Sequence, residues 1–272
     1  MKLTEMLDLS VHGPDTFVGN GPRYPWGGLY GGQIVAQALQ AAIETVEGRF
    51  IAHSIRAFFI RRGDHTEPVR YEVDRIRDGR SFCTRRVVAR QAVGVILNLE
   101  ASFQVPEDAA DIETVSLPRD IPRPNELVED SWTTVFQRAF IPRDRLDLAD
   151  RSGAGRAAAW LRVNEDIGDT VAAQQGALAY LSDDLPTDAV VRAHPVGLEP
   201  QETFHESLFT ASLDHTIWFH RQTKANRWHL YDFTCQTFVG GRGLATGHVF
   251  DEDGTHVATI AQEVLLRDSR QR

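Results

Sequence analysis

The chain has 272 residues, 42% hydrophobic and 25% charged, which is the composition of a soluble globular protein with room for two ordinary domains. Its formal net charge of −9 disfavours sequence-blind binding to nucleic-acid phosphates. No segment is apolar for long enough to span a bilayer, and two cysteines, Cys83 and Cys235, form neither a disulfide framework nor a CxxC pair.

The opening stretch MKLTEMLDLS carries Glu5 and Asp8 and has no apolar run, so it does not read as a signal peptide. With the cysteine usage, this predicts a reducing, cytoplasmic setting. GGLYGGQIVAQALQAAIETV then begins with glycines and continues as a helix apolar around much of its circumference. Such a helix must be buried. AHSIRAFFIRRGD reads as a strand ending in a charged turn, and VRYEVDRIRDGRSFCTRRVVARQAVGVILNLEASFQ as further strands, with turns at Asp78-Gly79 and near Gly94. Residues 105–125 are acidic and proline-rich and read as a linker. The division expected is 1–105, a linker over 106–125, and 126–272.

The second unit echoes the first. TVAAQQGALAYLSDD, from Thr170, supplies an Ala-rich helix before the strands. Four identities then share one offset of 160: Phe59 with Phe219, Arg61 with Arg221, Tyr71 with Tyr231 and Gly94 with Gly254. Gln104 and Gln262 close the two halves on similar strands, out of step by two residues. A repeat of this length predicts duplication of one α+β unit, a long buried helix wrapped by a curved antiparallel sheet, the shape called a hotdog.

Nucleotide, hydrolase and metalloprotease motifs are absent: no G-x-S-x-G, no G-x-x-x-x-G-K-[ST], no H-E-x-x-H. GAGRAA, residues 153–158, satisfies G-x-G-x-x-A but follows no buried strand, so it reads as a loop and not as a dinucleotide site. The histidines show no ligand spacing, and neither metal nor cofactor is expected.

Chemistry concentrates in the second half. In SLDHTIWFH, strand alternation puts Leu213, His215, Ile217 and Phe219 on one face and Ser212, Asp214, Thr216, Trp218 and His220 on the other. Asp214 reads either as a catalytic acid or as a strand-end carboxylate capped by backbone donors. The first half has Ser54 in its place. In THVATIAQEVLL, Gln262 sits on an otherwise apolar face, where its amide needs a partner. His215 reads as a buried, bonded histidine.

GGLYGGQIVAQAL, HSIRAFFIRRGD, RDGRSF, SLDHTIWFH and QEVLLR, in this order, resemble the acyl-CoA thioesterase II family. The resemblance spans nearly the whole chain and is weakest over 106–205. It implies a double hotdog that hydrolyses fatty acyl-CoA to free acid and CoA, with an Asp, a Ser or Thr, and a Gln holding the attacking water. By motif position it implies Asp214 as the acid and Gln262 as the amide. In HLYDFTCQTF, Cys235 or Gln236 falls at the hydroxyl position. Thr237 is the expected hydroxyl, with Gln236 as a substitute through its amide. Backbone N–H groups at Gly31 and Gly32, at a helix start, suit the thioester oxyanion, although a tight packed turn explains the glycines equally well. Two other functions share the fold: an enoyl-CoA hydratase using Asp214 and His215, and a non-catalytic acyl-CoA-binding protein. Exposed sheet edges predict a homo-oligomer, a dimer or higher.

Overall fold

The computed structural model describes residues 1–146, 155–198 and 207–271. The elements run α1 (Leu3–Leu7), β1 (Ser10–Val11), β2 (Thr16–Gly19), α2 (Gly31–Ile43), β3 (Ile51–Phe59), β4 (Val69–Asp78), β5 (Phe82–Gln91) and β6 (Gly94–Gln104). Then follow β7 (Phe136–Phe140), β8 (Arg156–Val163), α3 (Val171–Leu181), α4 (Pro186–Ala193), β9 (Leu208–Ser212), β10 (Asp214–Phe219), β11 (His229–Val239), β12 (Arg242–Asp251) and β13 (His256–Asp268). Of GAGRAA, the first two residues lie outside the described residues, and Arg156–Ala158 lie in β8 and not in a loop.

The strands form one antiparallel sheet, ordered β1-β2-β4-β5-β6-β3-β10-β13-β12-β11-β8-β7, with β9 also on β13. The two halves of the chain meet where β3 pairs with β10, from Asp214 opposite Phe58 to Trp218 opposite Ser54. Both long helices pack on each other between the arms of this sheet. The face they share is the main core, which takes Ile34, Val35 and Leu39 from α2 and Leu178 and Leu181 from α3. Helix α2 is buried almost all round, as its apolar breadth demands. Its two buried amides are both satisfied: Gln33 accepts from the Tyr24 hydroxyl at 2.8 Å, and Gln37 accepts from the Tyr71 hydroxyl at 2.7 Å.

The spacing of 160 recurs in the backbone. β4 and β11 begin at Val69 and His229, and β5 and β12 cover Phe82–Gln91 and Arg242–Asp251. The N–H groups of Ile60 and Arg61 both donate to the Ile96 carbonyl, and those of His220 and Arg221 both donate to the Val257 carbonyl. The Arg61 Nη1 donates to the Val95 carbonyl, and the Arg221 Nη1 to the His256 carbonyl. The proposed echo of Gln262 in Gln104 does not hold. Ile55 lies opposite Ala101, and His215 is the residue 160 beyond Ile55, so Ala101 occupies the register place of Gln262.

The stretch expected as a linker is packed. Val115, Leu117 and Ile121 cover a small second core of Ile141, Trp160, Leu230 and Phe250, and the Trp160 indole donates to the Pro122 carbonyl at 2.7 Å. The proline-rich composition prevents strand pairing but not burial.

Candidate active site

Helix α2 starts at Gly31, against the end of α3. The contact is close: a Cβ on Gly32 would sit 2.2 Å from the Tyr180 carbonyl oxygen, and one on Gly31 would sit 2.5 Å from Asp183 Oδ2. At Gly32 only a glycine lets the two backbones meet, whereas at Gly31 the crowding atoms belong to the Asp183 and Phe59 side chains. The Gly32 N–H donates to Asp183 Oδ2 at 3.0 Å. Asp183 therefore lies just past the C-terminus of α3 and on the N-terminus of α2, where the α2 dipole favours an anion.

Ser212 ends β9 and its hydroxyl reaches Asp183 Oδ1 at 3.4 Å. The Gln262 Nε2 donates to Ser212 Oγ at 2.8 Å. Gln262 is fully buried, and its Oε1 is bonded to His215 Nδ1. The other ring nitrogen of His215 lies 2.7 Å from Ser182 Oγ. A continuous polar chain thus runs Gly32, Asp183, Ser212, Gln262, His215, Ser182.

Burial pushes the Asp183 carboxyl up to about 7, against the opposing bonds from Gln262, Gly32 and Ser212. The same cause pushes His215 down to about 4, so its ring is neutral near pH 7. A neutral imidazole has one donor and one acceptor. With Gln262 turned so that its NH2 faces Ser212, His215 Nδ1–H must donate to Oε1, which leaves Nε2 as an acceptor facing the Ser182 hydroxyl, whose one proton is shared with the Ala179 carbonyl 2.8 Å away. In this tautomer the bond to His215 holds the amide with its NH2 toward Ser212. Asp184, next in sequence, is occupied elsewhere: it accepts from the Trp132 indole at 2.6 Å and pairs with Arg138 at 3.2 Å.

Of the residues expected from sequence, the structure brings Gln262, Gly31 and Gly32 to this point and leaves the others apart. Asp214 Oδ1 accepts from the Glu263 N–H at 2.6 Å, the strand-end arrangement. It lies across the sheet from the polar chain, because His215 faces inward. Thr237 pairs with Leu244, and Leu244 with Glu263, in one row that ends beside Asp214. Three strand spacings separate Thr237 from Asp214, about 14 Å, too far to share one water. Gln236 is the extra residue of a bulge between Cys235 and Thr237, and its amide donates to Thr246 Oγ1 at 2.7 Å. The Cys235 thiol bonds the Thr237 carbonyl at 3.3 Å. The row Asp214–Thr237 therefore does not assemble around Gln262.

Sequence reading missed Asp183 and Ser212. Strand alternation placed Ser212 opposite His215 in facing, yet both touch Gln262. The reason is a slip in register. Ser212 pairs with Val264 and Thr216 with Ala261, one residue out of phase, with Leu213 outside both strands. This bulge turns Ser212 inward. No one-letter signal marks it. Asp183 reads as an ordinary helix-end acid until Gly32 arrives from across the molecule.

Among the described residues no group of three or more His, Cys, Asp or Glu side chains is arranged to hold a metal ion. Two family models match the chain: the acyl-CoA thioesterase N-terminal domain over residues 21–104 and the acyl-CoA thioesterase C-terminal domain over residues 106–266. The chain is 32% identical to acyl-CoA thioesterase 2 of Haemophilus influenzae, over 99% of this chain and 96% of that one. The crystal structure of an acyl-CoA thioesterase II, TesB2, from Mycobacterium marinum superposes with a TM-score of 0.85 at 32% identity, covering 98% of both chains. A protein of unknown function with a hot dog fold from Alicyclobacillus acidocaldarius superposes at 0.76, with 19% identity and 97% of both chains covered, a likeness of fold alone. The fold is that of the hotdog thioesterases. The chain belongs to the acyl-CoA thioesterase II family, and it is an enzyme that hydrolyses acyl-CoA thioesters.

Proposed function

We propose that the chain hydrolyses fatty acyl-CoA by direct attack of a water held between Asp183, Ser212 and Gln262. The observation that carries this is the convergence of a buried carboxylate with a raised pKa, a hydroxyl and a pre-oriented amide on one point. Asp183 takes one proton of the water as its oxygen bonds to the thioester carbon. Ser212 and Gln262 hold that water, which removes much of the entropic barrier. The carbonyl oxygen becomes an oxyanion at the N-terminus of α2, beside Gly31. The C–S bond then breaks, and the proton on Asp183 passes to the departing CoA thiolate. Acid and CoA leave with no covalent acyl-enzyme. The Gly32 N–H holds the base, so the oxyanion role falls to Gly31 and the dipole.

The architecture that fits is a double hotdog, 1–105 and 126–272 joined by 106–125. The hydrogen bonds repeated at a spacing of 160 support it. Exposed Phe58 and Phe82 on the outer sheet surface support self-association into a dimer or higher oligomer. The free thiols of Cys83 and Cys235 fit a cytoplasmic setting. No helix among the described residues is long and apolar enough to cross a membrane. The hydratase reading needs Asp214 and His215 to act together, but His215 is fully buried and bonded to Gln262 while Asp214 bonds the Glu263 backbone.

Release of free thiol from a panel of acyl-CoAs tests the mechanism. Asp183→Asn is expected to lower kcat by about 10²–10⁴-fold. A variant that retains the full rate overturns the role given to Asp183.

A further inference from the structure

At the opposite end of α3 from Asp183 lies a cavity of about 400 Å³. Ala52 and His53 of β3, Val171 and Gln175 of α3, and the segment from Phe219 to Lys224 border it. Its place in the repeat is the place of the catalytic mouth. Phe59 sits against the first turn of α2, with its ring 3.0 Å from where a Gly31 Cβ would be. Phe219, 160 residues on, borders the cavity together with Val171, the first residue of α3.

Three exchanges remove the chemistry. Ala52 stands where the second half has Ser212. Ile55 opposite Ala101 stands where His215 meets Gln262. Gln175 points its amide at the Ala52 carbonyl, 2.6 Å away, and Gln174 is used by Gly168 and Ala225. The bordering carboxylate, Asp169, pairs with Lys224 at 3.1 Å. Another exchange adds charge: at the spacing of 160, Arg61, Arg62 and Asp64 of the first half correspond to Arg221, Gln222 and Lys224 here, so one net positive charge becomes two at these positions. Lys224 is one of only two lysines in the chain, and its pair with Asp169 is solvent-exposed, 57% on the Lys224 side, so a polyanion can compete for it.

We propose that this cavity is a second, non-hydrolytic binding site for long-chain acyl-CoA, with the acyl chain on Ile51, Leu178 and Phe219 and the phosphates at Lys224 and Arg221. The proposal rests on the reading of the Asp183 site as a fatty acyl-CoA site. Arg221 already pairs with Asp111 and Glu113, so Lys224 carries the phosphate contact that substitution can isolate.

The test is calorimetric titration of the full chain with dodecyl-CoA thioether, which cannot be hydrolysed, and with CoA and dodecanoate as separate arms. The expected result is two molecules of thioether per chain. In Lys224→Glu the weaker of the two is expected to bind at least tenfold less tightly, with kcat/KM at low substrate within twofold of the wild type. Lys224→Arg is expected to retain both. CoA alone binding as tightly as the thioether would remove the acyl chain from the proposal, and dodecanoate alone doing so would remove the nucleotide. One molecule per chain, or two that are both indifferent to Lys224→Glu, overturns the second site. Asp183→Asn reports separately: full hydrolysis by that variant refutes the catalytic reading, while its thioether stoichiometry still counts the sites.

Discussion

Asp183 has 9% of its surface exposed and receives hydrogen bonds from Gly32 and Ser212, yet burial still dominates its titration. A base that titrates at about 7 must be ionised to act, so kcat/KM is expected to rise tenfold per pH unit below about 7 and to level above it. The same group weakens the fold. Its pKa is about 7 when folded and 3.8 when free, so its contribution to native stability falls as pH rises between these values and is constant beyond them. Asp183→Asn is therefore expected to match the wild type at pH 4 and to exceed it by about 1–3 kcal/mol at pH 8, measured by urea unfolding. His215→Leu leaves the Gln262 carbonyl unpaired, a cost of about 1–3 kcal/mol, while the Ser182 hydroxyl keeps its bond to the Ala179 carbonyl. It also frees the amide to rotate, so kcat should fall about tenfold or more with KM little changed, and His215→Asn, which keeps a donor, should restore part of the rate.

At the scale of elements, the approach of α2 to α3 sets the site. Gly32→Ala would place a Cβ 2.2 Å from the Tyr180 carbonyl, so the helices must separate and the bond to Asp183 must lengthen. A loss of about 1–3 kcal/mol in stability and a lower rate are expected, measured by thermal unfolding and thiol release on the same sample. Much at this scale was readable in the sequence. The apolar breadth of α2 announced its burial, and Gln262 on an apolar face announced a bonded amide. The spacing of 160 gave the strand repeat through β12. What could not be read is the phase slip at Leu213. It turns Ser212 toward Gln262 and leaves Asp214, the more conspicuous acid, bonded to the Glu263 backbone on the other side of the sheet. Alternation is reliable only while a strand stays in register, and bulges are set by pairing partners distant in sequence.

For the whole molecule, the pairing of β3 with β10 makes one sheet of two halves, and it also makes one site of them. Gly32 comes from the first half, whereas Asp183, Ser212 and Gln262 come from the second. Separate fragments 1–105 and 126–272 would each expose an open strand edge and divide the site. Neither fragment alone is expected to release thiol from acyl-CoA. Mixing them should restore activity only as far as α2 packs again on α3, which tryptophan fluorescence and the thiol assay can follow together.

The most direct measurement compares Asp183→Asn with Asp214→Asn, both assayed for kcat/KM on one fatty acyl-CoA at pH 8. Loss of at least a hundredfold at Asp183, with Asp214→Asn within a few-fold of the wild type, is the result predicted here. The reverse order, with activity lost at Asp214 and kept at Asp183, would contradict the water-holding chain of Asp183, Ser212 and Gln262.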